Sequence, residues 1–215
     1  MLDGKKMDLP DSLTKTISNS ELVSVSGELG EIAIDSILDD GLLKDIPIIG
    51  TITGLWKTGA SIKDALFTQK LLVFLNTISD IPADKRAGMV ESLDDPSTSE
   101  KAGEKLLILL ERLESSGKAK LLAKTFKVYV EAIISREEFW RVSYIIDNLP
   151  LSDIWALKEW GDENLNNVEH IRKHLYLNVG LGWFVVDASS TGFQWQQSLC
   201  TIFSDHLLST ELENA

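Results

Sequence analysis

Two histidines four positions apart, His170 and His174, have the spacing that comes closest to a metal site. Side chains at positions i and i+4 share one face of a helix, and imidazole nitrogens bind transition metals. In zinc proteases with the His-Glu-x-x-His order the glutamate follows the first histidine, whereas here Glu169 precedes it. No cysteine pair lies nearby to complete a ligand set. We therefore predict an exposed helix face at these histidines, with no bound metal and no cofactor.

The short motifs that position a nucleophile or a phosphate are absent from the chain. There is no Gly-x-Ser-x-Gly, and the glycine-containing run 50–54 continues with Leu55 and Trp56 instead of the Gly-Lys-Ser/Thr of a phosphate loop. The single cysteine, Cys200, stands in an apolar segment, which favours a buried thiol over a nucleophile. We therefore predict no catalytic residues and no small-molecule substrate.

The charge balance argues against nucleic acids and anionic membranes as partners. The 215 residues carry a formal net charge of −12, whereas affinity for nucleic acids comes mainly from Lys and Arg that neutralise phosphates. The first residues lack the order of a signal peptide, so a cytoplasmic location is expected. We interpret the basic cluster as solvated surface that pairs with the chain's own carboxylates; it consists of Lys118, Lys120, Lys124 and Lys127.

The most apolar stretch runs from residue 46 to residue 56 and contains Gly50 and Gly54. Glycines at this spacing allow two helices to approach closely. A membrane span needs about 20 apolar residues, and Lys57 ends this run too early. Three interpretations remain: a buried central helix, a self-association seam formed by Gly50, Gly54 and Trp56, or a conditionally exposed segment that perturbs membranes.

Two of the six tryptophans are candidates for contact with a partner. Trp160 stands beside a glycine at a predicted helix end, and Trp195 lies in a predicted hairpin. Buried tryptophans anchor packing, whereas exposed ones dominate binding hot spots. We therefore predict that Trp160 and Trp195 take part in a protein interface.

Apolar residues recur with helical spacing along most of the chain, which predicts a mainly α fold: a multi-helix bundle with a small C-terminal β-hairpin. Ser135 and Glu138 have the spacing of a capping box that opens a helix. Residues 183–196 alternate around a turn-like segment and predict the hairpin. The expected organisation is a flexible N-terminus (1–17), a helical bundle (18–149) and a distinct C-terminal element (150–215).

The C-terminal element resembles a winged helix. Its order is a helix from Ser152, a helix ending near Leu177, the step Gly180-Leu181, a hairpin and a final helix entered near Thr201. The resemblance implies a DNA-reading second helix, but residues 150–215 hold three basic and nine acidic residues, and 183–195 has no Lys or Arg. We therefore expect a winged-helix shape that contacts protein.

The run from Ile46 to Gly59, followed by Asp64, Lys70 and the pair Phe74-Leu75, resembles a group of small uncharacterised bacterial helical proteins. The run Glu137-Glu138-Phe139 adds to that resemblance. It implies a bacterial or phage origin and no particular activity.

The leading hypothesis is a non-enzymatic module that binds a protein partner or itself, as an accessory in bacterial regulation or phage conflict. Two alternatives stay open. One is an effector that perturbs membranes with the 46–56 helix, and the other is a winged-helix regulator that binds DNA.

Overall fold

A computed structural model of the chain describes residues 9–23, 46–56, 61–94, 100–161, 164, 168–186 and 191–209. The chain divides into two compact units, Met1–Glu131 and Ala132–Ala215. The predicted boundary at 149/150 lies later, so helix Arg136–Asn148, which the sequence assigned to the bundle, belongs to the second unit. Pro150 marks the end of that helix locally, whereas the extent of a unit depends on contacts between distant residues.

The described residues are mostly helical, which confirms the mainly α prediction. The first unit contains α1 (Leu9–Ile17), a 3-10 turn (Ser20–Val23), α2 (Pro47–Trp56), α3 (Ile62–Ile78), α4 (Ala83–Leu93), α5 (Ala102–Arg112) and α6 (Ser116–Val130). The second contains α7 (Arg136–Asn148), α8 (Leu151–Ala156) with a 3-10 turn (Leu157–Glu159), α9 (His170–Asn178), β1 (Gly182–Val186), β2 (Thr191–Trp195) and α10 (Gln197–Thr201), which continues as a π-helical segment (Ile202–Leu207).

Capping boxes fix where two of these helices begin. The predicted box at α7 is confirmed: the Ser135 hydroxyl accepts a hydrogen bond from the amide of Glu138, whose carboxylate accepts one from the amide of Ser135 at 2.8 Å. Ser61 and Asp64 form the same arrangement at α3. Each box satisfies amides that have no partner within the helix.

Helix α1 corrects the predicted flexible N-terminus (1–17), of which residues 1–8 lie outside the described part. Leu13 and Ile17 are fully buried, and the Thr16 hydroxyl accepts a hydrogen bond from the amide of Ile48 at 3.0 Å. A nine-residue helix is too short to be stable alone, so packing against α2 stabilises it. That packing is a long-range contact, and local polarity does not reveal it.

Helix α2 holds the apolar stretch, and its isoleucines are buried in the first unit. Ile48, Ile49 and Ile52 are at most 4% exposed, so this face contributes to the core. Gly54 is exposed, and a methyl group added there would meet no atom within 4 Å. Among the described residues, no helix has both the length and the apolar character that crossing a membrane requires.

A buried arginine in α4 joins helix ends in the first unit. Arg86 has no exposed surface, and its guanidinium donates hydrogen bonds to the carbonyls of Ser79 (2.9 Å) and Ile81 (2.7 Å), just after α3. Carbonyls at a helix C-terminus lack partners within the helix and carry partial negative charge. Arg86 therefore satisfies these groups inside the core.

The second unit contains the predicted hairpin, which is confirmed. Strands β1 and β2 pair antiparallel, with Phe184 opposite Phe193 and Gly182 opposite Trp195. A methyl group at Gly182 would overlap the Phe193 ring and the carbonyl oxygen of Gln194. Glycine at position 182 therefore permits the hairpin to close against its own aromatic face.

Candidate functional site

The two tryptophans predicted to contact a partner are engaged inside the second unit. Trp195 is only 5% exposed, and its Nε1–H donates a hydrogen bond to the carbonyl of Gly161 at 3.3 Å. Trp160 is half-buried and donates from Nε1 to the Ser204 hydroxyl at 3.0 Å. Their rings meet edge to face with centroids 6.3 Å apart. Both side chains therefore anchor packing, and Trp195 offers almost no surface to a partner.

Around Trp195 lies a polar core with satisfied partners. The Tyr176 hydroxyl donates to the carbonyl of Asp153 at 2.9 Å, and the Asp153 carboxylate forms a 2.7 Å ion pair with Arg172. Burial raises the pKa of the Tyr176 hydroxyl well above its usual value. These groups tie α8 to α9 and orient the face of α9 that meets the hairpin.

Cys200 lies in the same core, where the sequence placed a buried thiol. It has no exposed surface, and its Sγ lies 3.7 Å from the carbonyl oxygen of Leu181. Burial raises the pKa of this thiol to about 12. Because the thiolate is the reactive form of cysteine, this environment makes Cys200 a poor nucleophile.

His170 and His174 do share one face of α9, and both are exposed. Their ring centroids lie 4.7 Å apart, and those of His174 and Phe184 lie 5.3 Å apart. Within the described part of the chain, no group of three or more His, Cys, Asp or Glu side chains has the geometry of a metal site. The two imidazoles pack over Phe184 and join α9 to β1.

The basic cluster of α6 is not uniformly solvated. Lys118 is buried, and its ammonium lies 3.4 Å from the carboxylate of Glu114. Lys127 forms a 2.8 Å ion pair with Asp80. These contacts agree with the predicted pairing to the chain's own carboxylates, but Lys118 differs from the expected solvated surface because its side chain packs inward.

The predicted self-association residues lie in or near α2. Gly50 is partly buried and Gly54 is exposed beside open space. Trp56 ends the helix, and its side chain lies outside the described part of the chain. Among the described residues, no other helix packs closely against Gly54, so this position is accessible.

The second unit exposes apolar side chains where α9 meets the hairpin. Four of them define what we term the hairpin surface: Ile171 (65% exposed), Trp183 (43%), Val185 (36%) and Val186 (76%). Ile171 adjoins His170, whose ring stacks on Phe184 between Trp183 and Val185. The four residues therefore lie on β1 and on the adjoining turn of α9, with Trp183 and Val185 on one face of the strand and Val186 on the face of Phe184.

Polar but uncharged groups lie beside Trp183. Trp183 lies opposite Gln194 in the strand register, and a shallow depression of about 420 Å³ beside it is also lined by Trp195, Gln196, Gln197 and Ser198. Neither β1 nor β2 contains a charged residue. An apolar centre with a polar border is the composition of a protein interface.

Sequence reasoning missed Trp183, because strand alternation shows which side chains share a face but not which face is buried. In a strand, alternate side chains point to opposite faces, so Trp183 and Val185 share the face opposite Phe184. With Phe193 and Trp195 on the buried side of β2, the register places Trp183 outward.

Comparison of the chain with family models, with curated proteins and with solved structures found no match.

Proposed function

We propose that this chain is a non-enzymatic interaction module that self-associates through the hairpin surface. The observation that carries the proposal is the concentration of exposed apolar side chains there. Six large hydrophobic residues are exposed among the described positions of the second unit, and four belong to the hairpin surface. Clustered exposed apolar residues typically mark interaction sites, whereas single ones do not.

Charge does not oppose a second copy at the strands of the hairpin. Two chains of net charge −12 repel each other wherever carboxylates would meet. Neither hairpin strand contains a charged residue, so two copies can meet through these strands without opposing carboxylates on them. Trp183 supplies the kind of side chain that dominates binding energy in interfaces.

The expected complex is weak. Burying a Val or Ile side chain contributes about 1.5–3 kcal/mol, whereas association costs about 4–15 kcal/mol, so eight anchors, four from each copy, predict a dissociation constant on the order of micromolar. The proposal also includes four expectations from the sequence. They are a winged-helix-like order of elements in the C-terminal part, a bacterial origin, a cytoplasmic location and an accessory role in bacterial regulation or phage conflict.

Sedimentation velocity of the full chain tests the proposal. Between roughly 1 and 500 μM the sedimentation coefficient should rise from that of a monomer to that of a dimer. Val186→Asp and Ile171→Asp should keep the chain monomeric across the range, because a carboxylate would be buried in the interface.

Tyr144→Asp is the matched control, since Tyr144 is 52% exposed on α7 of the same unit. It should leave dimerisation unchanged. A wild-type chain that stays monomeric throughout would overturn the proposal. Salt-dependent binding to duplex DNA would replace it with the regulator hypothesis, and leakage of liposomes that Gly54→Asp abolishes would replace it with the membrane effector.

A further inference from the structure

The first unit contains a groove with a mostly apolar lining, about 620 Å³ in volume. Its apolar lining comes from α1, α3, α5 and the residue after α5, and consists of Leu9, Leu66, Phe67, Leu107 and Leu113. Leu66 is 54% exposed. Small-molecule sites are typically concave, of this size, mainly apolar and supplied with a few polar groups. The polar groups of the groove therefore indicate which ligand fits.

Lys70 is the most buried of the charged residues that line the groove. Its side chain is only 8% exposed, and Nζ donates hydrogen bonds to the carbonyls of Glu111 at 2.6 Å and Leu113 at 2.7 Å, at the end of α5. Burial lowers the pKa of Lys70, and the Glu111 carboxylate partly offsets that effect. An ammonium has three N–H groups, and among the described residues the third N–H of Lys70 has no acceptor.

The N-terminus of α6 lies beside Lys70. Leu113, which accepts from Lys70, is two residues before Ser115, the residue that caps α6. Ser115 and Ser116 both line the groove, and the first turn of α6 holds no acidic residue. Amides in a first helical turn lack partners within the helix and attract anions. Lys70 and the N-terminus of α6 thus both border the groove.

Three carboxylates also line the groove, and two of them are engaged. Asp64 accepts hydrogen bonds from Ser61 in the α3 capping box at 2.7 Å. Glu114 pairs with Lys118. Glu111 is exposed, and Lys63 supplies a second positive charge among the lining residues. With Lys118, which pairs with Glu114, three ammonium groups balance the three carboxylates, so the groove has no excess of negative charge.

We propose that this groove binds a single-chain carboxylate of the fatty-acid type. The carboxylate accepts hydrogen bonds from Lys70 and the first amides of α6, and the hydrocarbon chain lies along Leu66, Phe67 and Leu107. A groove lined by an ammonium, by a helix N-terminus and by leucine and phenylalanine side chains matches a ligand with one anionic and one apolar end.

Isothermal titration of the full chain with octanoate and decanoate, below their micellar concentrations, tests this proposal. Affinity should rise about fourfold for each added methylene until the groove is filled. Decanol should bind at least tenfold more weakly than decanoate, and decyltrimethylammonium more weakly still. The absence of saturable decanoate binding, or equal binding of the cationic amphiphile, would overturn the proposal.

Two matched pairs of variants locate the site. Leu66→Asp should weaken decanoate binding at least tenfold, whereas Ile108→Asp should not, because Ile108 is similarly exposed (48%) and does not line the groove. Ser116→Glu places a carboxylate at the first position of α6, where it suits the helix dipole. It should reduce decanoate binding without reducing decanol binding, and Ser116→Gln, which has the same size without the charge, should reduce decanoate binding less than Ser116→Glu does. Equal effects within either pair would contradict the assignment.

Discussion

The guanidinium of Arg86 in α4 donates a hydrogen bond from Nε to the main-chain carbonyl of Ile17, the last residue of α1, at 2.7 Å. The residues are 69 positions apart, and both are fully buried. A second bond, from the same guanidinium to the carbonyl of Asn19, is 2.6 Å long. One side chain therefore joins the end of α1 to the end of α3 within the core of the first unit.

Replacing Arg86 should destabilise the first unit strongly. Arg86→Met leaves several buried carbonyls without donors, and breaking such a network costs about 3–5 kcal/mol. Urea denaturation followed by circular dichroism measures the loss. Lys85→Met, at the neighbouring exposed position, should change the free energy of unfolding by less than about 0.5 kcal/mol. Similar losses in both variants would contradict the role assigned to Arg86.

Two glycines in the first unit should respond oppositely to alanine. A methyl group at Gly103 in α5 would overlap the Thr14 hydroxyl and press on the carbonyl of Pro10, so Gly103→Ala should separate α1 from α5. A methyl group at Gly88 in α4 meets open space, so Gly88→Ala should stabilise the chain by about 0.5–1 kcal/mol. Thermal unfolding of both variants shows whether each substitution raises or lowers the melting temperature. A higher melting temperature for Gly103→Ala would contradict the close packing of α1 against α5.

The hairpin provides a second such pair. Gly182→Ala should destabilise the second unit by about 1–3 kcal/mol, because its methyl group meets the Phe193 ring and main chain. Gly192, on the paired strand, has open space at its Cβ position, so Gly192→Ala should be nearly neutral. Hydrogen exchange of the β1 and β2 amides measures both effects. We expect these amides to be equally protected in the wild type and in Gly192→Ala, and less protected in Gly182→Ala.

Acid should weaken the start of α3 through Asp64. Hydrogen bonds from the side chain and amide of Ser61 hold the pKa of Asp64 below its ordinary value of 3.8. A pKa lowered by folding gives stability that is present above the unfolded value and is lost as pH falls through the folded value. In Asp64→Asn, stability should therefore depend less on pH below about 4 than in the wild type, as denaturant titrations at successive pH values would measure. If the free energy of unfolding depended equally on pH in the wild type and in Asp64→Asn, that result would contradict the capping role of Asp64.

The thiol of Cys200 should be unreactive in the folded chain. Its pKa of about 12 and complete burial keep the thiolate population and the access of reagents low. A disulfide reagent such as Ellman's reagent should label Cys200 only on the timescale of unfolding, and fully in denaturant. Rapid labelling under native conditions would mean that the core around Leu181 opens.

Patterns that act over a few residues were readable from the sequence. The mainly α class, the capping box of Ser135 and Glu138, and the hairpin follow from helical periodicity, from a side chain that reaches an amide three positions away, and from strand alternation. Burial of the Ile46–Ile52 isoleucines was one of three interpretations that the sequence left open, because an apolar run can avoid water in a core, in a self-association seam or in a membrane.

Only the tertiary structure decided which polar and aromatic residues turn inward. Trp195 is buried and Trp183 is exposed because of the strand register and the face that packs on Tyr176, and both depend on pairing across the hairpin. Leu13 and Ile17 form a core helix because α2 lies against them. Arg86 and Lys70 are buried because carbonyls distant in sequence receive their hydrogen bonds. Local periodicity cannot specify such contacts, since each depends on which segments meet after the chain has folded.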